Sequence, residues 1–165
     1  QDLAYGELDG QETPRILALH DFMRGAGFEP RLTADIRREM WEKWILLAST
    51  GAITCLMRGT VGEIEAAPNG AAFALVVLDE AAAVARAVGT PPSEGFLAAA
   101  REQLTAKGSG FASSMYRDLQ AGRPVEVESI VGDLVRSGVR AGVATPLLAA
   151  AYAHLSVYQG KVGVR

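Results

Sequence analysis

The feature that most constrains the fold of this chain is its helix punctuation. Threonine followed by proline opens two apolar segments, at Thr13-Pro14 and Thr145-Pro146. Threonine is a favoured N-cap, and proline is tolerated in the first helical turn because the N–H that it lacks would have no helical partner there. Thr60 and Glu63 have the spacing of a capping box, and Thr33 and Ser93 can each cap a further helix. These signals predict a chain built from helices.

Alanine and leucine dominate between the caps, and β-branched runs typical of strands are scarce. The apolar spacing predicts a short helix after Thr60 and a last helix from Pro146. It also predicts longer helices over about 14–26, 34–57, 71–88, 93–107, 112–121 and 125–141. We therefore predict an all-α fold.

The first ten residues differ from the rest. Residues 3–8 alternate weakly between apolar and polar, as in a strand whose partners are missing, and the sequence does not begin with methionine. This pattern suggests that the sequence is a fragment of a longer protein.

Composition excludes several classes of protein. A net charge of -3 and a pI near 5.4 argue against a nucleic-acid partner, which would require a basic surface. No polybasic patch and no sufficiently long apolar run predicts membrane association. The single cysteine, Cys55, excludes an intramolecular disulfide, and His20 and His154 lack metal-ligand spacing. We predict a cytoplasmic protein without a metal site.

Lys43 is the first polar residue in an unexpected position. It shares a helix face with the apolar residues Ile36, Met40 and Leu47. Either its ammonium group extends along this face to water, or it lies in a cleft. In a cleft, desolvation would lower its pKa and make it a useful proton donor.

Glu126 and Ser114 are two further candidates. Glu126 aligns with Ile130 and Leu134 at four-residue steps, which predicts the inward side of its helix. It could instead be a first-turn acid that the helix dipole stabilises. Ser114 could be an N-cap, or its hydroxyl and the neighbouring amides could bind a carboxylate.

Several motifs occur in a fixed order along almost the whole chain. They are Tyr5-Gly-Glu-Leu-Asp-Gly10, Asp35-Ile36, Trp41-Glu-Lys43, Gly62-Glu63-Ile64, Ser113-Ser-Met115, Asp118-Leu119, Gly122-Arg-Pro124, Glu126-Val-Glu128, Gly132, Gly142-Val-Ala-Thr-Pro146 and Tyr152. Their order and spacing resemble the C-terminal domain of the ketopantoate reductase (2-dehydropantoate 2-reductase) family.

This resemblance implies a helical C-terminal domain over residues 11–165, like the C-terminal domain of 6-phosphogluconate dehydrogenase. It also implies a preceding Rossmann domain that binds NADPH, with residues 1–10 as its end. It implies reduction of 2-dehydropantoate to pantoate, in pantothenate and coenzyme A biosynthesis, or of a related small 2-ketoacid. Lys43 would donate the proton, Ser114 would bind the substrate carboxylate, and Glu126 would bind the cofactor ribose and orient the lysine. A homodimer is compatible with this architecture, and the isolated 165-residue chain should be inactive.

The sequence also departs from the family pattern. Leu47, Gly51, Val61 and Phe111 stand where the family usually has asparagine. A hydroxylated ketoacid would lose hydrogen-bond partners as a result, so a less polar 2-ketoacid is an open alternative. The alternative to a reductase is a helical dimerisation or interaction module without its own active site. This hypothesis rests on the alanine-rich segment 71–88.

Overall fold

The computed structural model describes residues 2–162. Gln1, at the start of the predicted segment 1–10, and residues 163–165, at the end of the predicted helical domain, lie outside the described residues. The fold is helical with a two-stranded sheet at one end. The elements in chain order are β1 (Asp2–Tyr5), α1 (Pro14–Met23), β2 (Glu29–Leu32), α2 (Ile36–Met57), α3 (Val61–Ala66), α4 (Gly70–Ala87), α5 (Glu94–Leu104), α6 (Ser114–Gln120), a π-helical turn (Glu128–Gly132), α7 (Asp133–Ala141) and α8 (Pro146–Val162). The all-α prediction is confirmed.

Local capping chemistry explains most of the helix starts. The Thr13 hydroxyl accepts from the Ile16 N–H at the start of α1, and Ser93 caps α5 in the same manner. Both halves of the predicted capping box are present at α3, where the Glu63 carboxylate also accepts from the Thr60 N–H at 2.7 Å. These hydrogen bonds hold the pKa of Glu63 below its usual value.

Two predictions about the first 35 residues were wrong. The N-terminal strand does have a partner, because β1 pairs in parallel with β2 across the α1 crossover. The long helix α2 is capped by Asp35, not by Thr33, because strand β2 extends to Leu32 and the helix begins only at Ile36. The Asp35 carboxylate accepts from the Arg38 N–H at 3.3 Å.

Most of the apolar residues of α1 do not face the core. Ile16 is the buried residue of this helix, whereas Leu19 is partly exposed and Phe22 is 85% exposed. The apolar side of α1 is therefore not covered by the described residues.

The core lies around α2 and α4, with α8 packed against both helices. The alanine-rich helix α4 contributes Ala74, Val77, Leu78, Ala81, Val84 and Ala85 to this core. Small side chains let helices approach closely, and here they serve packing within the chain. The hypothesis that this helix forms a subunit interface therefore loses its main support.

Residues 125–141 do not form the single helix that the spacing predicts. A π-helical turn precedes α7, and residues 121–126 are outside any helix. Such turns place one extra residue in a helical circuit and are frequent at functional sites. Among residues 2–162, no helix has the length and apolar character needed to cross a membrane.

Candidate active site

The N-terminal half of α2 borders an open, apolar cavity of about 540 Å³. Its wall consists of Met40, Trp41, Lys43, Trp44, Leu47 and Ser129. Of the residues that share a face with Lys43, Met40 is 62% and Leu47 is 44% exposed, whereas Ile36 at the start of the helix is buried. Lys43 is itself exposed, and within residues 2–162 its ammonium group has no hydrogen bond or ion pair. The apolar stripe is thus a cleft wall.

The two adjacent serines at the start of α6 have different roles. Ser113 is the N-cap, since its hydroxyl accepts from the Tyr116 N–H at 3.0 Å and lies 2.8 Å from the Thr54 hydroxyl. Ser114 is the first residue of the helix, is exposed, and makes no hydrogen bond through its hydroxyl to any described residue. The capping alternative therefore applies to Ser113 and leaves the Ser114 hydroxyl available.

The prediction for the position of Glu126 was wrong. This residue precedes the π-helical turn, and its side chain is exposed. Its backbone carbonyl accepts from the Ile130 N–H at 3.1 Å. Within residues 2–162 the carboxylate has no hydrogen bond or ion pair, so its acceptors are free for a ligand.

Ser114 and Glu126 border one cavity of about 240 Å³. This second cavity adjoins the one beside Lys43, because Leu47 belongs to the walls of both. The indole N–H of Trp44 donates to the Ile130 carbonyl at 2.9 Å and ties α2 to the π-helical turn. The three residues selected from the sequence therefore lie on one open face, which we call the cleft.

A clamp of polar side chains fixes the π-helical turn that follows Glu126. The Tyr152 hydroxyl and the Arg136 guanidinium each donate to the Glu128 carboxylate at 2.9 Å. Arg136 also donates to Asp133 at 2.8 Å, and these carboxylates raise its pKa above the usual value. The clamp lies on the outside of the turn and holds the backbone that carries Glu126.

The sequence analysis did not select two polar residues that line the cleft. Arg117 lies in the wall of the second cavity, three residues after Ser114, and donates to the Ala112 carbonyl at 3.1 Å. Ser129, three residues after Glu126, borders the cavity of Lys43. Helical spacing from the selected residues could have identified both.

The four positions that depart from the family pattern differ in their surroundings. Leu47 and Phe111 are partly exposed and line the second cavity. Gly51 and Val61 are buried in the core, and a Cβ atom at Gly51 would lie 3.2 Å from the Met115 methyl group. Among the described residues, only Leu47 and Phe111 of this set can therefore meet a ligand directly.

The described residues contain no group of three or more histidine, cysteine, aspartate or glutamate side chains that could hold a metal ion. Cys55 is buried in the core, and burial raises the pKa of its thiol to about 11. The polar side chains in the walls of the cleft, apart from the two indoles, are a lysine, three serines, a threonine, an arginine and a glutamate.

Fold and site together define a class of protein, a helical domain with one open apolar cleft that carries a free lysine. Residues 35–159 match the family described as "Ketopantoate reductase PanE/ApbA C terminal", and the chain belongs to this family. The resemblance stated from the sequence motifs is thereby confirmed.

Individual relatives agree with this assignment. An uncharacterized oxidoreductase of Bacillus subtilis is 29% identical over 95% of this chain and 52% of its own length. The 2-dehydropantoate 2-reductase of Archaeoglobus fulgidus is 29% identical over 84% of this chain and 46% of its own length.

A solved structure of a dimeric ketopantoate reductase from Staphylococcus aureus matches with a TM-score of 0.83 and 25% identity. That match covers 98% of this chain and 55% of the other chain. The chain thus spans about half the length of the relatives it matches.

Proposed function

We propose that this chain is the substrate-contacting half of a nicotinamide-dependent reductase that converts 2-dehydropantoate, or a related small 2-ketoacid, to the 2-hydroxyacid. The observation that carries the proposal is the cleft. Its apolar walls carry an unpaired ammonium, an unpaired hydroxyl and an unpaired carboxylate on adjoining cavities. A surface with these properties suits a small polar substrate that is enclosed when a second domain covers it.

Lys43 is the proposed proton donor. The reduced nicotinamide, when bound, supplies a hydride to the C2 carbonyl carbon of the ketoacid. The Lys43 ammonium stabilises the negative charge that develops on the carbonyl oxygen and transfers a proton to it. The product is a neutral hydroxyl group and a neutral amine, and the exposed amine regains its proton from water. Apolar neighbours strengthen this electrostatic effect once water leaves the cleft.

Ser114 is the proposed partner of the substrate carboxylate. Its hydroxyl is free and lies at the start of α6, where backbone N–H groups also favour an anion. Arg117 borders the same cavity and adds a positive charge to it. This end of the cleft therefore attracts the carboxylate, while Lys43 faces the neighbouring carbonyl group.

Glu126 is the proposed contact to the cofactor. Its exposed carboxylate offers the paired acceptors that the two hydroxyl groups of a ribose require. We assign NADPH as the cofactor, bound mainly by a Rossmann domain that precedes this chain, with residues 1–10 as the end of that domain. We also propose that the whole enzyme pairs with a second copy of itself.

The proposal is tested with the whole protein that contains this chain. The purified protein should oxidise NADPH when 2-dehydropantoate or a related 2-ketoacid is added, and residues 1–165 alone should be inactive. Oxidation of NADPH is followed at its absorbance band, with the ketoacid omitted as the control. Failure of every 2-ketoacid to support oxidation, at concentrations far above the usual KM range, would refute the proposed reaction.

A further inference from the structure

The walls of the cleft contain features that bear on the substrate side chain. Beside Lys43, the cavity of about 540 Å³ is bordered by two tryptophans, a methionine and a leucine, with one serine. The Trp41 and Trp44 ring centroids lie 4.9 Å apart, so the two indoles form one continuous apolar surface. The indole N–H of Trp44 already donates to the Ile130 carbonyl. It is therefore not available to a substrate hydroxyl group.

Polar groups in the second cavity are also largely engaged. The Thr50 hydroxyl donates to the Leu46 carbonyl at 2.7 Å, and the Ser113 hydroxyl serves the α6 cap. Apart from Ser114, Arg117 and Glu126, the remaining wall is apolar. Since the proposed function assigns Ser114 and Arg117 to the carboxylate and Glu126 to the cofactor, no free polar side chain is left in the second cavity for the substrate side chain. Beside Lys43, the Ser129 hydroxyl and the Trp41 indole N–H remain.

Two positions of the cleft wall are decisive. Leu47 lies one helical turn after Lys43 and borders both cavities, so it faces the substituent next to the reacting carbonyl. Phe111 also lines the second cavity. The Met115 methyl group lies next to Gly51, 3.2 Å from where a Cβ atom would be, so this part of the wall is apolar as well.

We propose that the cleft selects 2-ketoacids with an apolar side chain, branched aliphatic or aromatic, over 2-ketoacids whose side chain carries a hydroxyl group. This inference rests on the proposed function. A hydroxyl group placed against Leu47 and Phe111 loses its hydrogen bonds to water and gains none. An apolar pocket discriminates against an added hydroxyl by about a hundredfold or less. The expected preference is therefore about ten- to a hundredfold in kcat/KM.

The test compares two ketoacids that differ in one group. In 3,3-dimethyl-2-oxobutanoate a methyl group replaces the hydroxymethyl group of 2-dehydropantoate. With the whole protein and NADPH, we expect kcat/KM to be about ten- to a hundredfold higher for the methyl compound. Phenylglyoxylate, with an aromatic side chain, should also be reduced. Equal values, or a preference for 2-dehydropantoate, would overturn this inference while the reductase function stands; no reduction of any ketoacid would overturn both.

Variants of the cleft wall test whether the cleft causes this substrate preference. Leu47→Asn introduces an amide beside Lys43 and should lower the ratio of the two kcat/KM values by about tenfold. Leu47→Met keeps the wall apolar and should retain the ratio. Val139→Asn, an equally polar change at an exposed residue of α7 outside the cleft, is the matched control. A ratio that does not respond to Leu47→Asn would contradict the inference, even if the methyl compound is preferred.

Discussion

The two halves of helix α2 differ in burial, and this difference separates the core of the domain from its cleft. Eight consecutive residues, Ala48 to Cys55, are buried, so this half of the helix is surrounded on all sides. In the preceding half, Met40, Lys43 and Leu47 are exposed. Both halves are rich in apolar residues, yet one is scaffold and the other is the wall of the cleft.

The difference lies in side-chain size and in partners. The buried half uses alanine, serine, glycine and threonine, which allow close packing, and its threonine hydroxyls bond to backbone carbonyls one turn earlier. The exposed half carries tryptophan, methionine and leucine around a lysine. Large apolar side chains that the described residues do not cover are typical of a binding surface. The rigid half thus holds the ligand-facing half in position.

Truncation of one side chain in each half of α2 tests whether the two halves differ in their contribution to stability. Ile53→Ala leaves a cavity in the core and should lower the free energy of unfolding by about 2–5 kcal/mol. Met40→Ala, the matched change on the exposed half, should lower it by about 0.5 kcal/mol or less. Urea unfolding of the 165-residue chain measures both values. Similar losses for the two variants would mean that the halves do not differ as described.

A second, smaller effect concerns the reactivity of Cys55. Burial raises its thiol pKa from 9.0 to about 11, so the folded protein holds about a hundredfold less thiolate at pH 8 than the unfolded chain. Alkylation by iodoacetamide should therefore be at least about a hundredfold slower in the folded protein. The folded-state rate should rise with pH until the thiol ionises near a pKa of about 11. Rapid labelling at neutral pH, measured by mass spectrometry, would show that this half of α2 is open to solvent.

Local chemistry explains which parts of the fold were predictable. The caps at Thr13, Thr60 and Ser93 involve residues three positions apart, so the sequence alone predicts the helices that they start. Strand β2 contains a proline and two charged residues, and it forms because β1 lies beside it after the α1 crossover. The π-helical turn is bonded through Glu128 to Tyr152, which is 24 positions away in the sequence. Neither of these long-range effects leaves a local signal.

The candidate site, like the fold, could be predicted from the sequence only in part. Spacing placed Lys43 on an apolar face, but the same pattern serves a core and a cleft, and only packing distinguishes them. Glu126 was assigned to a helix because the four-residue steps to Ile130 and Leu134 ignore the extra residue of the π-helical turn. Of the two adjacent serines, Ser113 caps α6 and also bonds to Thr54, which is 59 positions away in the sequence. The local sequence does not distinguish it from Ser114.

The most direct test of the cleft as an active site is a comparison of two lysine variants in the whole protein. Lys43→Ala removes the proposed proton donor, and Lys107→Ala removes an exposed lysine that follows α5 outside the cleft. With saturating NADPH and the ketoacid that is reduced fastest, Lys43→Ala should lower kcat by about 10²–10⁴-fold, and Lys107→Ala should leave it within about twofold. A Lys43→Ala enzyme with the kcat of Lys107→Ala would contradict the central claim.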